Sequence, residues 1–234
     1  MSLLSIIQEV CDLLSLTRPS AVINSNDTTY RQLYAIACEE AGVLAKMKWQ
    51  AMARERTFVT VAAAEQPGAV PAGFKSFIPN TFFNRTTNRP LSGPVSPQVW
   101  QLRQTSPQSS GIILGYRQRD NSFLLTPNPP AGETIAFEYV SSYWAKAAND
   151  GADKAKWDLD TDETYLDESL IVKGIRWRWK AAKGFPYAED HDSYTADRDQ
   201  LFANDGGLSI LSSADTCSDD LGGPIVPQMG YGNA

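Results

Sequence analysis

The single histidine of the sequence lies among carboxylates, and this grouping is the first candidate for chemistry. His191 is flanked by Glu189, Asp190 and Asp192. A histidine with carboxylates can hold a metal ion or carry out acid–base catalysis. The alternative is a solvated polar loop or helix start, which we favour because adjacent residues on a helix point in different directions. One histidine also excludes a metal site built on a histidine pair.

A second acidic cluster has the spacing of a calcium-binding loop. Residues 158–162 read DLDTD, but such a loop also needs glycine at its sixth position and glutamate at its twelfth. Those positions are Glu163 and Ser169, so the match fails. We expect these acids instead to cap a following helix, through Thr161 or Asp162, and to keep a linker soluble.

The common motifs for phosphate binding and for a nucleophile are absent from the sequence. It has no G-x-x-x-x-G-K-[ST], no G-x-G-x-x-G after a predicted strand and no G-x-S-x-G. The prediction is therefore that no residue is catalytic, binds a cofactor or ligates a metal, and that the protein is not an enzyme. A hydrolase that uses His191 is the least favoured alternative.

One segment combines basic and aromatic residues. It reads RWRWK at residues 176–180 and is followed by Lys183. Such a mixture can stack on nucleic acid and neutralise its charge. On a helix, however, Arg176, Lys180 and Lys183 share one face. This spacing predicts a basic stripe that faces solvent or another subunit, and the stripe is a candidate interface.

The composition is that of a globular protein with a mildly acidic surface. The 234 residues are 42% hydrophobic, and the formal net charge is −6, whereas a surface that grips nucleic-acid phosphates carries a basic excess. Three distant cysteines, Cys11, Cys38 and Cys217, predict free thiols in a reducing cytoplasm rather than disulfides or a zinc site. No apolar run approaches the ~18 residues of a membrane span, so we expect no membrane partner.

Helical periodicity predicts four helices. Apolar residues that recur at three- and four-residue steps place them at about 2–15, 28–53, 163–183 and 188–203. Asp27 is the expected N-cap of the second helix. Residues 145–161 are expected to form an exposed linker. Residues 205–234 are rich in Gly, Ser and Asp and are predicted to form an extended C-terminal arm.

Between the second and third helices the pattern changes to that of strands. Four or more short antiparallel strands are predicted, among them residues 58–61, 112–116, 122–125 and 134–144. In the last one, Ile135, Phe137 and Tyr139 share a large aromatic face, which we expect to be the core face, and Glu138 lies on the other. The prediction is an α+β fold in which a small antiparallel β-sandwich or barrel is inserted into a helical bundle. The expected divisions are N-terminal helices, β domain, linker with C-terminal helices, and arm, at residues 1–53, 54–144, 145–204 and 205–234.

Three motifs, taken in order, resemble those of bacteriophage neck proteins. FIPNTFFNR at residues 77–85 is similar to the segment Ile/Leu-Pro-x-Asp/Asn-Phe-x-Arg of these proteins. GPVSPQVW at residues 93–100 and FEYVSSYW at residues 137–144 follow in the family's order. With two predicted helices before them and a helical segment after them, residues 1–205 resemble a head-to-tail adaptor (connector) protein of a short-tailed bacteriophage.

The resemblance implies a structural virion protein without catalytic residues or cofactors. Members assemble as a ring, usually of about twelve copies, that joins the portal to the tail nozzle or tube. The ring lines part of the DNA channel and makes transient, non-specific contact with passing DNA. The implied location is the neck of the virion, after synthesis in the host cytoplasm. Residues 206–234 are expected to depart from the shorter members of the family.

The C-terminal arm is a further candidate interface. Its scattered apolar side chains suit a segment that becomes ordered on the portal or on an adjacent subunit. They are Leu208, Ile210, Leu211, Ile225, Val226, Met229 and Tyr231. The alternative function is a carbohydrate- or peptide-binding accessory module, in which Trp100, Tyr116 and Tyr143 would stack on sugar rings.

Overall fold

The computed structural model describes residues 1–105, 115–120 and 122–205, and within them the fold is α+β, as predicted. The α-helices there are α1 (Leu3–Leu13), α2 (Thr28–Leu44), α3 (Pro97–Thr105), α4 (Glu168–Lys183) and α5 (Ala188–Asn204). The strands are β1 (Ala53–Val59), β2 (Glu65–Gln66), β3 (Phe74–Phe77), β4 (Phe83–Asn84), β5 (Arg89–Pro90), β6 (Gly115–Arg119), β7 (Ser122–Thr126), β8 (Thr134–Ser141), β9 (Ala145–Lys146), β10 (Asp153–Lys154) and β11 (Glu163–Thr164). A 3₁₀ turn, Gln50–Met52, precedes β1.

The long strand β8 is the centre of the largest sheet. β1 pairs with it antiparallel, from Ala53 opposite Val140 to Val59 opposite Thr134. β3 and β4 also pair with β8, and β5 pairs with β4. A second antiparallel sheet has the order β2-β7-β6, and β6 and β7 form a hairpin. Of the strand expected at residues 112–116, Gly115 and Tyr116 are described and form the start of β6. Residues 112–114 lie outside the described part of the chain.

One face of β8 belongs to an aromatic core that both of these sheets build. Ile135, Phe137 and Tyr139 are buried in this core, which confirms their predicted core face. The Phe82 ring lies between Tyr116 and Phe137, at centroid distances of 3.7 and 4.6 Å and nearly parallel to both. Stacked rings bury a large apolar area in a fixed geometry, so this core sets the relative position of β6 and β8.

The other face of β8 enters the helical core near the end of the strand. Val140, and Trp144 just beyond the strand, are buried in the same cluster as residues of α1, α2 and α4. Glu138, earlier on this face, is exposed. The alternation of side chains along β8 predicted that one of its faces is buried. In the structure the helices also cover part of the opposite face. β8 therefore joins the two cores.

Helix α2 begins as predicted but ends earlier. The Asp27 carboxylate accepts a hydrogen bond from the Thr29 N–H at 2.7 Å and caps the first turn. The expectation of one helix over residues 28–53 is wrong beyond Leu44. The chain turns there, and the Trp49 indole N–H donates to the Leu44 carbonyl at 2.8 Å, so the tryptophan folds back onto the helix that it was expected to extend.

The Lys75 side chain, from β3, closes the carboxyl end of α2. Its ammonium donates to the carbonyl oxygens of Ala45, Lys46 and Met47 at 2.7, 2.7 and 3.2 Å. Carbonyl groups at a helix end lack intrahelical donors, and the helix dipole favours a cation there. Burial, and then the neighbouring Lys48, lower the pKa of Lys75. One side chain therefore fastens the largest sheet to the helical part.

The segment expected to be an exposed linker is folded. Residues 145–161 contribute two strands to a third sheet, whose order is β10-β9-β11. Trp157 within it is fully buried and packs edge-on against Trp144, with ring centroids 4.5 Å apart. The expectation failed because Trp157 finds its apolar partners at distant positions in the chain, and its polar neighbours gave no local sign of burial.

Helix α4 begins later than predicted. Its first residue is Glu168, and Asp167 is the N-cap, with its carboxylate accepting the Leu170 N–H at 2.9 Å. Neither Thr161 nor Asp162 caps it, contrary to the expectation. Asp167 has the same preference for this position, and the residues before it are taken up by β11.

The buried Asp162 carboxylate instead organises its own loop. It accepts hydrogen bonds from Lys154 Nζ at 2.8 and 2.9 Å and from the N–H groups of Asp158 and Leu159 at 2.8 and 3.0 Å. Burial alone raises the pKa of Asp162, but these donors, Lys154 foremost, outweigh it and hold the pKa below its ordinary value. The loop also holds α1, because the Leu3 N–H donates to the Asp162 carbonyl at 2.8 Å.

A buried carboxyl group on α2 connects three helices. Glu40 is fully buried and accepts hydrogen bonds from Arg178 Nε on α4, at 2.5 Å, and from the Tyr194 hydroxyl on α5. Burial, and then Glu40, raise the pKa of Tyr194, so its hydroxyl remains a donor. Gly174 on α4 permits this approach, since a Cβ atom there would lie 2.5 Å from Cγ of Glu40.

The substitution Gly174→Ala is expected to lower the free energy of unfolding by about 1–3 kcal/mol, because the added methyl group must displace Glu40. Gly42→Ala is the matched control on α2, where no atom lies within 4 Å of an added Cβ. Helix propensity predicts a gain of about 0.5–1 kcal/mol for the control. Urea unfolding followed by circular dichroism measures both, and equal effects at the two glycines would contradict the packing account.

The substitution Asp162→Asn is expected to cost about 1–3 kcal/mol of unfolding free energy at pH 7, because the buried donors lose a charged acceptor. A lowered folded-state pKa stabilises the protein above the unfolded pKa, and this contribution disappears as pH falls through the folded pKa. The difference from wild type should therefore shrink on acidification, which urea titrations at decreasing pH measure. Asp158→Asn, with an exposed side chain, is the control; a constant difference for Asp162→Asn would contradict the assignment.

Candidate assembly surfaces

The carboxylates around His191 do not converge on it. Asp190 points to α4, whereas Asp192 Oδ1 lies 3.6 Å from His191 Nδ1. The imidazole packs edge-on against the Trp177 ring, with centroids 4.9 Å apart. Within the described part of the chain, no group of three or more His, Cys, Asp or Glu residues could hold a metal ion. The histidine thus lies on a helix packed against α4.

Two members of the predicted basic stripe are paired within the chain. Arg176 and Lys180 of α4 both donate to the Asp190 carboxylate of α5. Burial alone raises the pKa of Asp190, but the two cations outweigh it and hold the pKa below its ordinary value. They clamp α4 to α5. Lys183, whose Nζ lies 5.7 Å from the Trp179 ring centroid, is the exposed residue of the stripe.

The turn between α4 and α5 exposes two aromatic side chains. Gly184, with φ of 76°, ends α4 in the left-handed region. After it, Phe185 and Tyr187 are 53% and 45% exposed. Phe185 stacks on Trp179 with centroids 6.0 Å apart. In the sequence, Phe185-Pro186 indicates only the end of a helix, but its exposure makes this turn, residues 184–187, a candidate contact surface that we call the hairpin tip.

A cleft opens at the other end of α5. It has a volume of about 390 Å³ between the 3₁₀ turn that follows α2, the segment before α4 and the end of α5. The Asp205 carboxylate closes one side, since it accepts the Gln50 N–H at 2.5 Å. The apolar and aromatic lining is Trp49, Ala51, Tyr165, Leu166 and Leu201. We call this site the Trp49 cleft.

The outer side of α5 is acidic and otherwise carries small residues and Gln200. Glu189, Asp192 and Asp199 are exposed there, at spacings that bring them to one side of the helix. Tyr194 is the buried residue of α5 and marks the side that packs on the other helices. The small exposed side chains between the acids are Ser193, Ala196 and Ala203.

The aromatic residues expected to stack on sugar rings lie largely in the interior. Trp100 and Tyr116 are 6% and 0% exposed, and a ring buried in a core cannot stack on a carbohydrate, so the expectation is wrong for both. Tyr143 is partly exposed. Its ring lies so close to Gly73 that an added Cβ would be 2.9 Å away, which indicates a packing role.

The three motifs and the mixed α+β architecture point to one family. The sequence pattern described as SU10 adaptor protein matches residues 1–224. The chain belongs to the SU10 adaptor protein family. No curated protein matches the sequence significantly. Membership confirms the resemblance to phage head-to-tail adaptors, and it makes this SU10 adaptor a structural phage protein of the virion that associates with other head and tail proteins.

The match extends further along the SU10 adaptor than the motifs indicated. It includes residues 206–224, which were expected to depart from the family. The interface candidates of the arm lie outside the described residues; they are Leu208, Ile210, Leu211, Ile225, Val226, Met229 and Tyr231. None of the described helices is long and apolar enough to cross a membrane.

In this SU10 adaptor, Asp190→Asn is expected to lower the free energy of unfolding by about 1–3 kcal/mol, because Arg176 and Lys180 lose their anionic partner. His191→Gln changes the adjacent side chain, which is 45% exposed, and is the control, with an expected effect within about 0.5 kcal/mol. Thermal and urea unfolding measure both. A loss of stability for His191→Gln as large as that for Asp190→Asn would show that the imidazole, and not the Asp190 carboxylate alone, holds α5 on α4.

Proposed function

We propose that this SU10 adaptor forms a closed ring of about twelve copies in the neck of a short-tailed phage virion. The ring joins the portal to the tail nozzle or tube and surrounds the DNA channel. The observation that carries the proposal is the family match over residues 1–224. In this role the chain acts by assembly and not by turnover.

The hairpin tip is the first surface that we assign to ring contacts. A closed ring needs two different surfaces on each subunit, because its interfaces are heterologous. Exposed aromatic residues are enriched in interfaces, and Phe185 and Tyr187 are held at the end of a helical hairpin that Asp190 clamps. Lys183, beside the tip, adds a cation to this surface.

The C-terminal arm is the second surface. Apolar residues separated by Gly, Ser and Asp suit a segment that binds in an extended form on a partner. We assign Ile225, Val226, Met229 and Tyr231 to contacts with the portal or an adjacent subunit. In this assignment the arm, residues 205–234, is distinct from the N-terminal helices (1–53), the β domain (54–144) and the C-terminal helices (145–204).

The outer side of α5 is the surface that we assign to the DNA channel. Glu189, Asp192 and Asp199 give it negative charge, and a negative wall repels the phosphates of passing DNA, so that contacts remain transient. No cation lies among the exposed residues Ser193, Ala196, Gln200 and Ala203 of this side, so none of them offsets this charge. Arg176 and Lys180, which would attract phosphates, are directed to Asp190 instead.

Native mass spectrometry of the purified chain, alone and mixed with the portal protein of the same phage, tests the ring. The expected result is uptake of about twelve copies per portal ring. The double variant Phe185→Ser/Tyr187→Ser should reduce uptake at least several-fold through lost apolar contact. Val59→Ser, which replaces a 62% exposed side chain on β1, is the matched control. A chain that stays monomeric with the portal would contradict the proposed function, and normal uptake by the double variant would contradict the role of the tip.

A further inference from the structure

The Trp49 cleft is an apolar site in an exposed position. Its volume of about 390 Å³ falls in the range of pockets that hold ligands, about 300–1,000 Å³. Trp49 and Leu166 are themselves buried, so they supply a firm floor. We propose that this cleft binds residues 208–211 of the same chain and thereby anchors the base of the C-terminal arm.

The course of the chain brings this segment to the cleft. Asp205 belongs to the wall and is fastened there by the hydrogen bond from Gln50 N–H, at 2.5 Å. Two glycines, Gly206 and Gly207, follow and allow the chain to turn in directions closed to other residues. Leu208 lies three positions after Asp205, so their Cα atoms are within about 11 Å of each other.

The composition of the segment matches the cleft. Residues 208–211 read LSIL and are the first apolar residues after α5. In an extended chain Leu208 and Ile210 point to the same side, toward an apolar floor, while Ser209 points away. The rim carries the polar residues Asp167, Asn204 and Asp205, which suits exposed backbone at the edge of the site.

The short tether favours the chain's own segment over that of another copy. A short flexible linker holds its two ends at an effective concentration in the millimolar range, so even a weak apolar contact is largely formed within one chain. Anchoring at 208–211 fixes the direction in which the arm leaves the subunit. It leaves Ile225, Val226, Met229 and Tyr231 for partners, and it does not depend on the proposed ring.

Disulfide trapping in the full chain tests the contact. Ala51, an exposed residue of the cleft, is replaced by Cys together with Leu208→Cys. The matched control pairs Ala51→Cys with Ser209→Cys, which has nearly the same tether but a side chain directed away from the floor in the proposed arrangement. The expected result, identified by peptide mass spectrometry because native cysteines are retained, is an intramolecular disulfide that forms several-fold faster in the first variant. A disulfide that forms only between chains, or equal rates in both variants, would overturn the proposal.

Amide hydrogen exchange provides a second readout without new cysteines. The variant Leu208→Ser/Ile210→Ser/Leu211→Ser should exchange several-fold faster at residues 49–51 and 165–167, because the cleft loses its cover. Ile225→Ser/Val226→Ser/Met229→Ser changes the same number of apolar residues in the distal arm and should match wild type. Unchanged exchange in the first variant would overturn the anchor. Portal uptake by either variant tests the proposed ring, whereas the hydrogen-exchange comparison tests the anchor, so the two proposals can fail separately.

Discussion

A carboxyl group removed from water needs hydrogen-bond partners inside the protein. The buried carboxyl group of Glu40, on α2, finds its partners on α4 and α5. Arg178 and Tyr194 donate hydrogen bonds to it, and these bonds fix how α4 and α5 are rotated and how far they are shifted along α2. Gly174 lets α4 approach α2 closely enough. The orientation of the α4–α5 hairpin, and with it the hairpin tip and the acidic side of α5, follows from this one buried group.

The aromatic and helical cores meet along β8, so the two halves of the fold are not independent. Phe137 lies in the aromatic core, and Val140 on the opposite face lies in the helical core. A shift of β8 by one residue would exchange these two faces. The register with β1, which pairs Ala53 with Val140, therefore positions the sheets and the helices together, and the Trp49 cleft lies just before β1.

Local patterns predicted the features that depend on neighbours in sequence. The Asp27 cap and the aromatic face of β8 are set within a few residues, and they were predicted. The end of α2 is closed by Lys75, which is distant in the chain. Trp157 is buried in one cluster with residues of α1, α2 and α4, so neither feature could be predicted from its sequence neighbours. The same holds for the basic stripe at the candidate interface. Its spacing predicted a shared helix face, but the pairing of Arg176 and Lys180 with Asp190 could not be predicted from that spacing.

The bond between Lys75 and the end of α2 also has a mechanical meaning. A load that separates the largest sheet from the helices acts partly on this ammonium. Its three carbonyl partners, on Ala45, Lys46 and Met47, share one donor atom. Withdrawing that atom breaks all three hydrogen bonds together. The three hydrogen bonds therefore form and break together, as one unit.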